Sequence, residues 1–331
     1  MALSNLKIWV SCLTVALVLL AFLMPEAIGT YGGYLSMMLI LLLGVPHGAT
    51  DHILFRHVKK DYDKGWLSRF FVRYFLLMGL FALTWWVLPS MALMIFLAIS
   101  AYHFGQSQWH YLEDSKGVKN AIYISWGAFV LAAPLLWNYA ETAPIIEHLT
   151  GSDFLLSADY QFFIPVFLVI IITFQTVILY TKNKISTAKL LEECGVLLLL
   201  SLLFYSTSLL FGFAVYFVFW HSLDSVKDQI IQLRKIHPDY TLKKYLRQVI
   251  PFTLLAFGSI GLFVWLSPAA LMTDAWISQF FILISIVTLP HSLLMDSFLE
   301  GKSGAKVGQK TKLTKPIQQK NKVPVHRVQT I

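Results

Sequence analysis

Residues 190–225 read LLEECGVLLLLSLLFYSTSLLFGFAVYFVFWHSLDS, thirty-six residues interrupted near the middle by Ser206-Thr207-Ser208. One membrane-crossing helix needs about 20 apolar residues. The stretch is too long for one span, and its polar break predicts two, at 190–206 and 209–225. Working outward, comparable apolar blocks lie at 7–24, 31–48, 69–88, 91–107, 120–138, 162–181, 248–267 and 276–295. Backbone polar groups inside hydrocarbon must be satisfied within the chain, which leaves helices or a closed barrel. Barrel strands alternate over about 10 residues. These blocks are longer and continuous, so the expected fold is all-α, a polytopic transmembrane helix bundle of about ten spans.

Composition agrees: 57% of the 331 residues are hydrophobic and 13% charged, against roughly 45–50% and about 25% in soluble domains. That excludes a fold surrounded by water. Cys12 and Cys194 lie in or at the edge of apolar blocks and read as small apolar side chains, not a disulfide framework. The net charge of +8 is ordered by topology. With the N-terminus inside, all 26 Lys and Arg fall on the inner side. The long outer loop 139–161 then carries only Glu141, Glu147, Asp153 and Asp159 as charges. This is the positive-inside bias, and it predicts a multi-pass protein of the cell (inner or plasma) membrane with both termini cytoplasmic. The first block, as long as a span and without a small-x-small cleavage site, reads as a span and not a signal peptide. Residues 1–298 form the expected membrane domain. Residues 299–331 form a basic, disordered cytoplasmic tail, whose charge suits anionic lipid headgroups and not nucleic acid.

Four of the ten histidines share a setting: Val45-Pro46-His47-Gly48-Ala49-Thr50-Asp51-His52, Tyr102-His103-Phe104-Gly105, Trp220-His221-Ser222-Leu223-Asp224 and Pro290-His291-Ser292. On the ten-span reading they fall on the second, fourth, eighth and tenth helices, which run parallel. At about 1.5 Å per residue, His47, His103, His221 and His291 end in one layer near the inner face. Any one of them could simply hydrogen-bond a backbone carbonyl or sit among headgroups. Four at one depth point to a shared site, because ionisable groups within spans are costly and usually face the bundle interior. Neutral imidazole binds iron, zinc, copper or nickel, and a bundle can present one such ligand from each of several helices. His52 points to another face unless the helix ends near Gly48, which makes it a possible additional ligand. Asp51, Asp224 and Asp296 follow three of the histidines by four, three and five residues. They could accept the second imidazole N–H or be boundary charges; spacing leaves both open. Pro46 and Pro290 favour kinks, and Gly44, Gly48 and Gly105 allow bending or close approach. His57 and His110 lie at span ends, and His148, His237 and His326 lie in loops or the tail.

Tyr102, Phe104, Trp109, Phe217, Phe219 and Trp220 gather around two of the histidines. Such aromatics pack cores, or they line a channel for a long apolar substrate arriving through lipid. The sequence physics therefore favours a membrane metalloenzyme over a transporter or a haem protein.

At PHGATDH (46–52), HFG (103–105), WHS (220–222) and PH (290–291) the chain resembles the Brp/Blh family of membrane beta-carotene 15,15'-dioxygenases. The resemblance spans residues 44–296. It implies non-haem ferrous iron, Fe(2+), as cofactor, and cleavage of beta-carotene by O2 at the central double bond into two all-trans-retinal molecules. It also implies functional coupling to a microbial rhodopsin. It carries the ligand roles onto His47, His103, His221 and His291, with His52 closing the first motif. The family pattern has a further histidine four residues after that of WHS, where this chain has Ser225. Asp224 and His52 are the nearby groups that could compensate.

Two other classes compete. A histidine-lined transporter or proton-coupled carrier would need a polar path reaching both faces, whereas the polar groups here collect at one end. A di-iron membrane desaturase or hydroxylase would carry several closely spaced histidines per helix, whereas most candidates here come one per helix.

Overall fold

The computed structural model describes residues 6–58, 65–153, 155–266 and 271–310, excluding the side chains of Val45, His47, His57, Val58, Ile236 and residues 300–310. The described residues form helices throughout: α1 Leu6–Leu23, α2 Pro25–Leu39, α3 Asp51–Val58, α4 Trp66–Val87, α5 Pro89–Trp109, α6 Lys116–Trp137, α7 Tyr139–Thr150, α8 Ala158–Thr181, α9 Thr187–Ser206, α10 Leu209–Val215, α11 Leu223–Ile236, α12 Leu242–Leu266 and α13 Asp274–Lys310. Eight helical segments among the described residues are long and apolar enough to cross a membrane. The molecule is an all-α, multi-spanning bundle. α5 and α9 fall outside those eight. α5 carries His103, Gln106 and Gln108 in its second half, and α9 opens on Lys189, Glu192 and Glu193.

The backbone leaves the helix at the Ser206–Ser208 break: Thr207 and Ser208 are extended, and α10 starts at Leu209. The Leu209 N–H donates to Glu141 across 3.0 Å, which supplies the acceptor a fresh helix start needs.

Two membrane paths are irregular in the middle. α2 passes into a π-helix, Ile40–Gly44, then a 3-10 helix, Val45–Thr50, and on into α3. Pro46 lacks an N–H and cannot continue a regular α ladder, and π turns recur at functional sites. Likewise α10 passes into the π-helix Tyr216–Ser222 and on into α11. Each detour carries one of the histidine motifs. Pro290, by contrast, is accommodated within α13.

α5 and α6 form the tightest seam. A Cβ at Gly105 would collide with the backbone of Tyr123, and one at Gly127 with the backbone of Ala101. Small residues on both helices let the backbones touch, the usual device where no hydrophobic effect drives helices together. Around the seam lies the largest apolar core, including Trp109, Trp126, Phe129, Phe204 and Phe211.

At one end of the bundle α1, α5 and α9 are joined by charge. Buried Glu193 accepts from Gln108 at 2.8 Å and pairs with Lys189 at 2.7 Å; Glu192 pairs with Lys7 at 2.8 Å and Lys189 at 2.9 Å. Lys189 also sits 4.6 Å from the Tyr111 ring centre. Two lysines and two glutamates balance in charge, and the buried carboxylate of Glu193 has the cation that burial requires.

Candidate functional site

His103 sits on α5 two residues before Gly105, so the glycine seam fixes the height and rotation of its helix. His221 is in the π-helix Tyr216–Ser222, and His291 follows Pro290 within α13. All three imidazoles are buried. Their rings converge: His103 to His221 is 5.1 Å between centroids, and His103 to His291 is 5.4 Å. Three residues separated by 70 positions or more thus meet in the interior.

His47 belongs to the 3-10 helix, while its side chain lies outside the described residues. Its neighbour Gly48 does face the cluster, since a Cβ there would lie 3.8 Å from His291 Nδ1. His52 sits on α3, its ring 4.2 Å from that of Phe252.

The carboxylates make cross-helix ties. Asp51 Oδ1 lies 2.7 Å from His291 Nδ1, and Tyr74 on α4 donates its O–H to Asp51 Oδ2 at 2.9 Å. A carboxylate facing Nδ1 accepts a hydrogen bond from the N–H of that nitrogen, which favours the tautomer whose lone pair lies on Nε2, buried in the interior. Asp296 accepts from Gln106 on α5 at 2.8 Å, which ties the helix of His103 to the helix of His291. Asp224 instead pairs with Lys227 at 2.8 Å along its own helix.

Ser225 is buried and accepts from the side-chain amide of Gln229 at 3.3 Å. Gln229, fully buried, also accepts from Thr50 at 2.8 Å and Tyr245 at 3.1 Å. Further along the same helix Asp228 lies 3.1 Å from His110 Nε2, and His110 Nδ1 lies 3.0 Å from the Ser107 carbonyl. His148 is on α7, His237 caps α11, and His326 lies outside the described residues.

Of the aromatic residues, Phe104 and Phe217 reach the cluster. Phe104 is 4.7 Å from the His221 ring, edge to face; Phe217 stacks on it at 5.7 Å and is itself stacked on Phe213. Gly44 in the other π-helix meets Phe217, where a Cβ would come within 2.6 Å of the ring. Tyr102 packs edge-on against Tyr123, Phe219 is partly buried, and Trp220 donates to Thr14 on α1 at 3.0 Å. A groove of about 780 Å³ between α1, α9 and α11 is lined by none of the described histidines.

Sequence spacing gave no sign of Tyr74, Thr50, Gln229 or Tyr245. Gln106 had a weak signal, since it lies three residues after His103 and so on the same helix face.

Three buried imidazoles on separate helices are a donor set for a transition-metal ion. Ligands whose nitrogens are about 2.1 Å from one ion have ring centres roughly 5 Å apart, close to the 5.1 Å and 5.4 Å that separate His103 from His221 and from His291. Among the described residues no group of three His, Cys, Asp or Glu side chains is placed so that it could hold a metal ion. Donor type and burial suit a metal, while His47, the fourth candidate, has its side chain outside the described residues.

The fold and site define a polytopic helical membrane protein with a buried imidazole cluster. The family model for beta-carotene 15,15'-dioxygenase matches residues 38–299, and the chain belongs to that family. It is 25% identical over 274 residues to the probable beta-carotene 15,15'-dioxygenase Blh of Halobacterium salinarum, covering 76% of this chain and 79% of that one. It is 26% identical over 266 residues to a beta-carotene 15,15'-dioxygenase of uncultured marine bacterium 66A03, covering 79% and 92%. No solved structure matches. The family places the chain among membrane-embedded oxidoreductases of the carotenoid-cleaving dioxygenase type.

Proposed function

We propose that the chain is an Fe(2+)-dependent dioxygenase that splits the 15,15' double bond of beta-carotene with O2 to give two all-trans-retinal molecules. The observation that carries this reading is the convergence of His103, His221 and His291, buried and from three helices, inside the region matched by the family model. In the balanced reaction the carbon–carbon double bond breaks and each carbon keeps one oxygen atom, so both atoms of O2 leave as aldehydes.

His103, His221, His291 and His47 would hold the iron, whose role when bound is to activate O2. The chain's own residues do the rest. Asp51 holds the proton of His291 on Nδ1 and so keeps Nε2 available. Phe104 and Phe217 cover the apolar side of His221, which excludes water and offers flat surfaces to a polyene. His52, packed at a tilt against Phe252, belongs to the helix packing in this reading. Residues 1–298 act as the catalytic domain and 299–331 as a tail. Ten spans with both termini cytoplasmic account for the one-sided distribution of Lys and Arg. Substrate comes from the lipid phase, and the retinal formed would serve a microbial rhodopsin.

The test is incubation of purified protein with beta-carotene under air, with product chromatography and a metal count on the same sample. One iron per chain and retinal as the sole cleavage product are expected. Full iron occupancy without aldehyde would overturn the reading, and two irons per chain would favour a di-iron oxygenase.

A further inference from the structure

The segment that carries His47 cannot hold itself in place. It is a six-residue 3-10 helix entered from a π-helix, and 3-10 hydrogen bonds are poorly aligned, so such pieces are short and weak. Its position must come from ties to other helices. Among the described residues two such ties meet at its end. Asp51 reaches His291, as above, and Thr50 donates its hydroxyl to Gln229 Oε1 at 2.8 Å.

Gln229 is an unusual anchor for a membrane interior. Its carboxamide is fully buried on α11, the helix that continues directly from the π-helix of His221. Its oxygen also accepts from Tyr245 on α12, and its nitrogen donates to Ser225, one turn back. Because the amide plane is rigid, fixing the nitrogen on Ser225 aims the oxygen at Thr50. Thr50 is three residues from His47 and Ser225 is four from His221. The bond between Thr50 and Gln229 therefore joins the two histidine-bearing segments, about one turn beyond His47 and two turns beyond His221.

We infer that Gln229 is a positioning residue. Through Thr50 it sets the register of the 45–51 segment against α11, and so the separation of the His47 and His221 segments. This inference rests on the metal reading above. Its content is separate: a side-chain amide, not a ligand and not a carboxylate beside one, fixes the spacing of two ligand-bearing backbones.

The test compares Thr50→Val, Thr50→Ser, Gln229→Leu and Thr142→Val in the full-length purified protein. Two quantities are read: affinity for Fe(2+) by chelator competition, and thermal unfolding of the iron-free protein. Thr50→Val keeps side-chain shape and leaves Tyr245 still donating to Gln229, so it is the gentlest break. It should weaken iron binding about tenfold to hundredfold, the usual cost of losing support around a ligand. Gln229→Leu should do the same, and Thr50→Ser should restore binding. Thr142→Val removes a buried hydroxyl of the same kind on α7, where Thr142 donates to the Leu135 carbonyl at 2.7 Å, away from the 45–51 segment and from α11. It should lower the unfolding midpoint yet leave iron affinity at the wild-type value. The proposal is overturned if Thr50→Val binds iron like wild type, or if Thr142→Val weakens binding as much as Thr50→Val. Wild-type protein that takes up no iron would overturn the metal reading, and this inference with it, in an arm separate from the variants.

Discussion

Replacing Gly105 by Ala puts a methyl group into the backbone of α6. A carbon and a carbonyl oxygen stay about 3.3 Å apart even in the closest favourable contact, and at Gly105 the added Cβ overlaps the Tyr123 carbonyl outright. The obstacle is main chain, so no side-chain rotation relieves it. α5 and α6 must separate by more than about 1 Å, and overpacking of that kind costs about 3 kcal/mol, the upper part of the usual range. His103 is two residues away and moves with α5, leaving the spot it shares with His221 and His291. A displacement of about 1 Å in a reacting constellation is worth roughly 100-fold in rate. The assay is thermal unfolding in detergent, with iron per chain and retinal formation on the same samples. Gly79→Ala and Gly195→Ala are the controls, because a Cβ at either meets nothing within 4 Å. They should be neutral or stabilising by about 0.5–1 kcal/mol. If Gly105→Ala unfolds like the controls and keeps its iron, the seam does not position His103.

Three further outcomes are expected. Asp51→Ala should cost about 10–100-fold in iron affinity, whereas Tyr74→Phe, which removes one hydrogen bond to Asp51, should cost roughly 3–20-fold, the equivalent of about 0.6–1.7 kcal/mol within a membrane; equal effects would contradict the order of the chain. Gly44→Ala should swing the Phe217 ring off His221 and slow beta-carotene cleavage while iron content stays at the wild-type level; unchanged turnover would separate Phe217 from the substrate. Lys189→Met strands the Glu193 carboxylate in the interior with Lys7 at 3.9 Å as its remaining cation, so unfolding should become easier by about 3 kcal/mol; a change within about 0.5 kcal/mol would mean that the Lys189–Glu193 pair does not hold the helices together.

The helices were legible in sequence because hydrocarbon imposes a length, and 190–225 is too long for one crossing and breaks at its serines. The histidines were legible as a group because each stands near one end of an apolar block, and three of them do meet in the structure. Their partners were not. Spacing can relate Asp51 only to residues on its own helix, and the π and 3-10 turns before it break the 100° step on which such reasoning depends. In the structure Asp51 crosses to His291, Asp296 is held by Gln106, and Asp224 is held by Lys227. Tyr74 stood among Phe70, Phe71 and Phe75 with nothing in the pattern to distinguish it, and Gln229 read as one more polar residue of a basic, mixed helix. Both are assigned by what arrives from other helices, information that periodicity does not contain.

The π-helices give the cluster walls of unequal stiffness. α5 is braced along its length by backbone contact with α6, so the His103 side behaves as a fixed jaw. The 40–50 and 216–222 segments lack regular α hydrogen bonding and form the compliant jaw. When the cluster must widen or narrow, for an ion of another radius or a bilayer of another thickness, the strain falls on those two segments. Amide exchange should therefore be faster there than across the α5–α6 seam, even though both lie at the same depth.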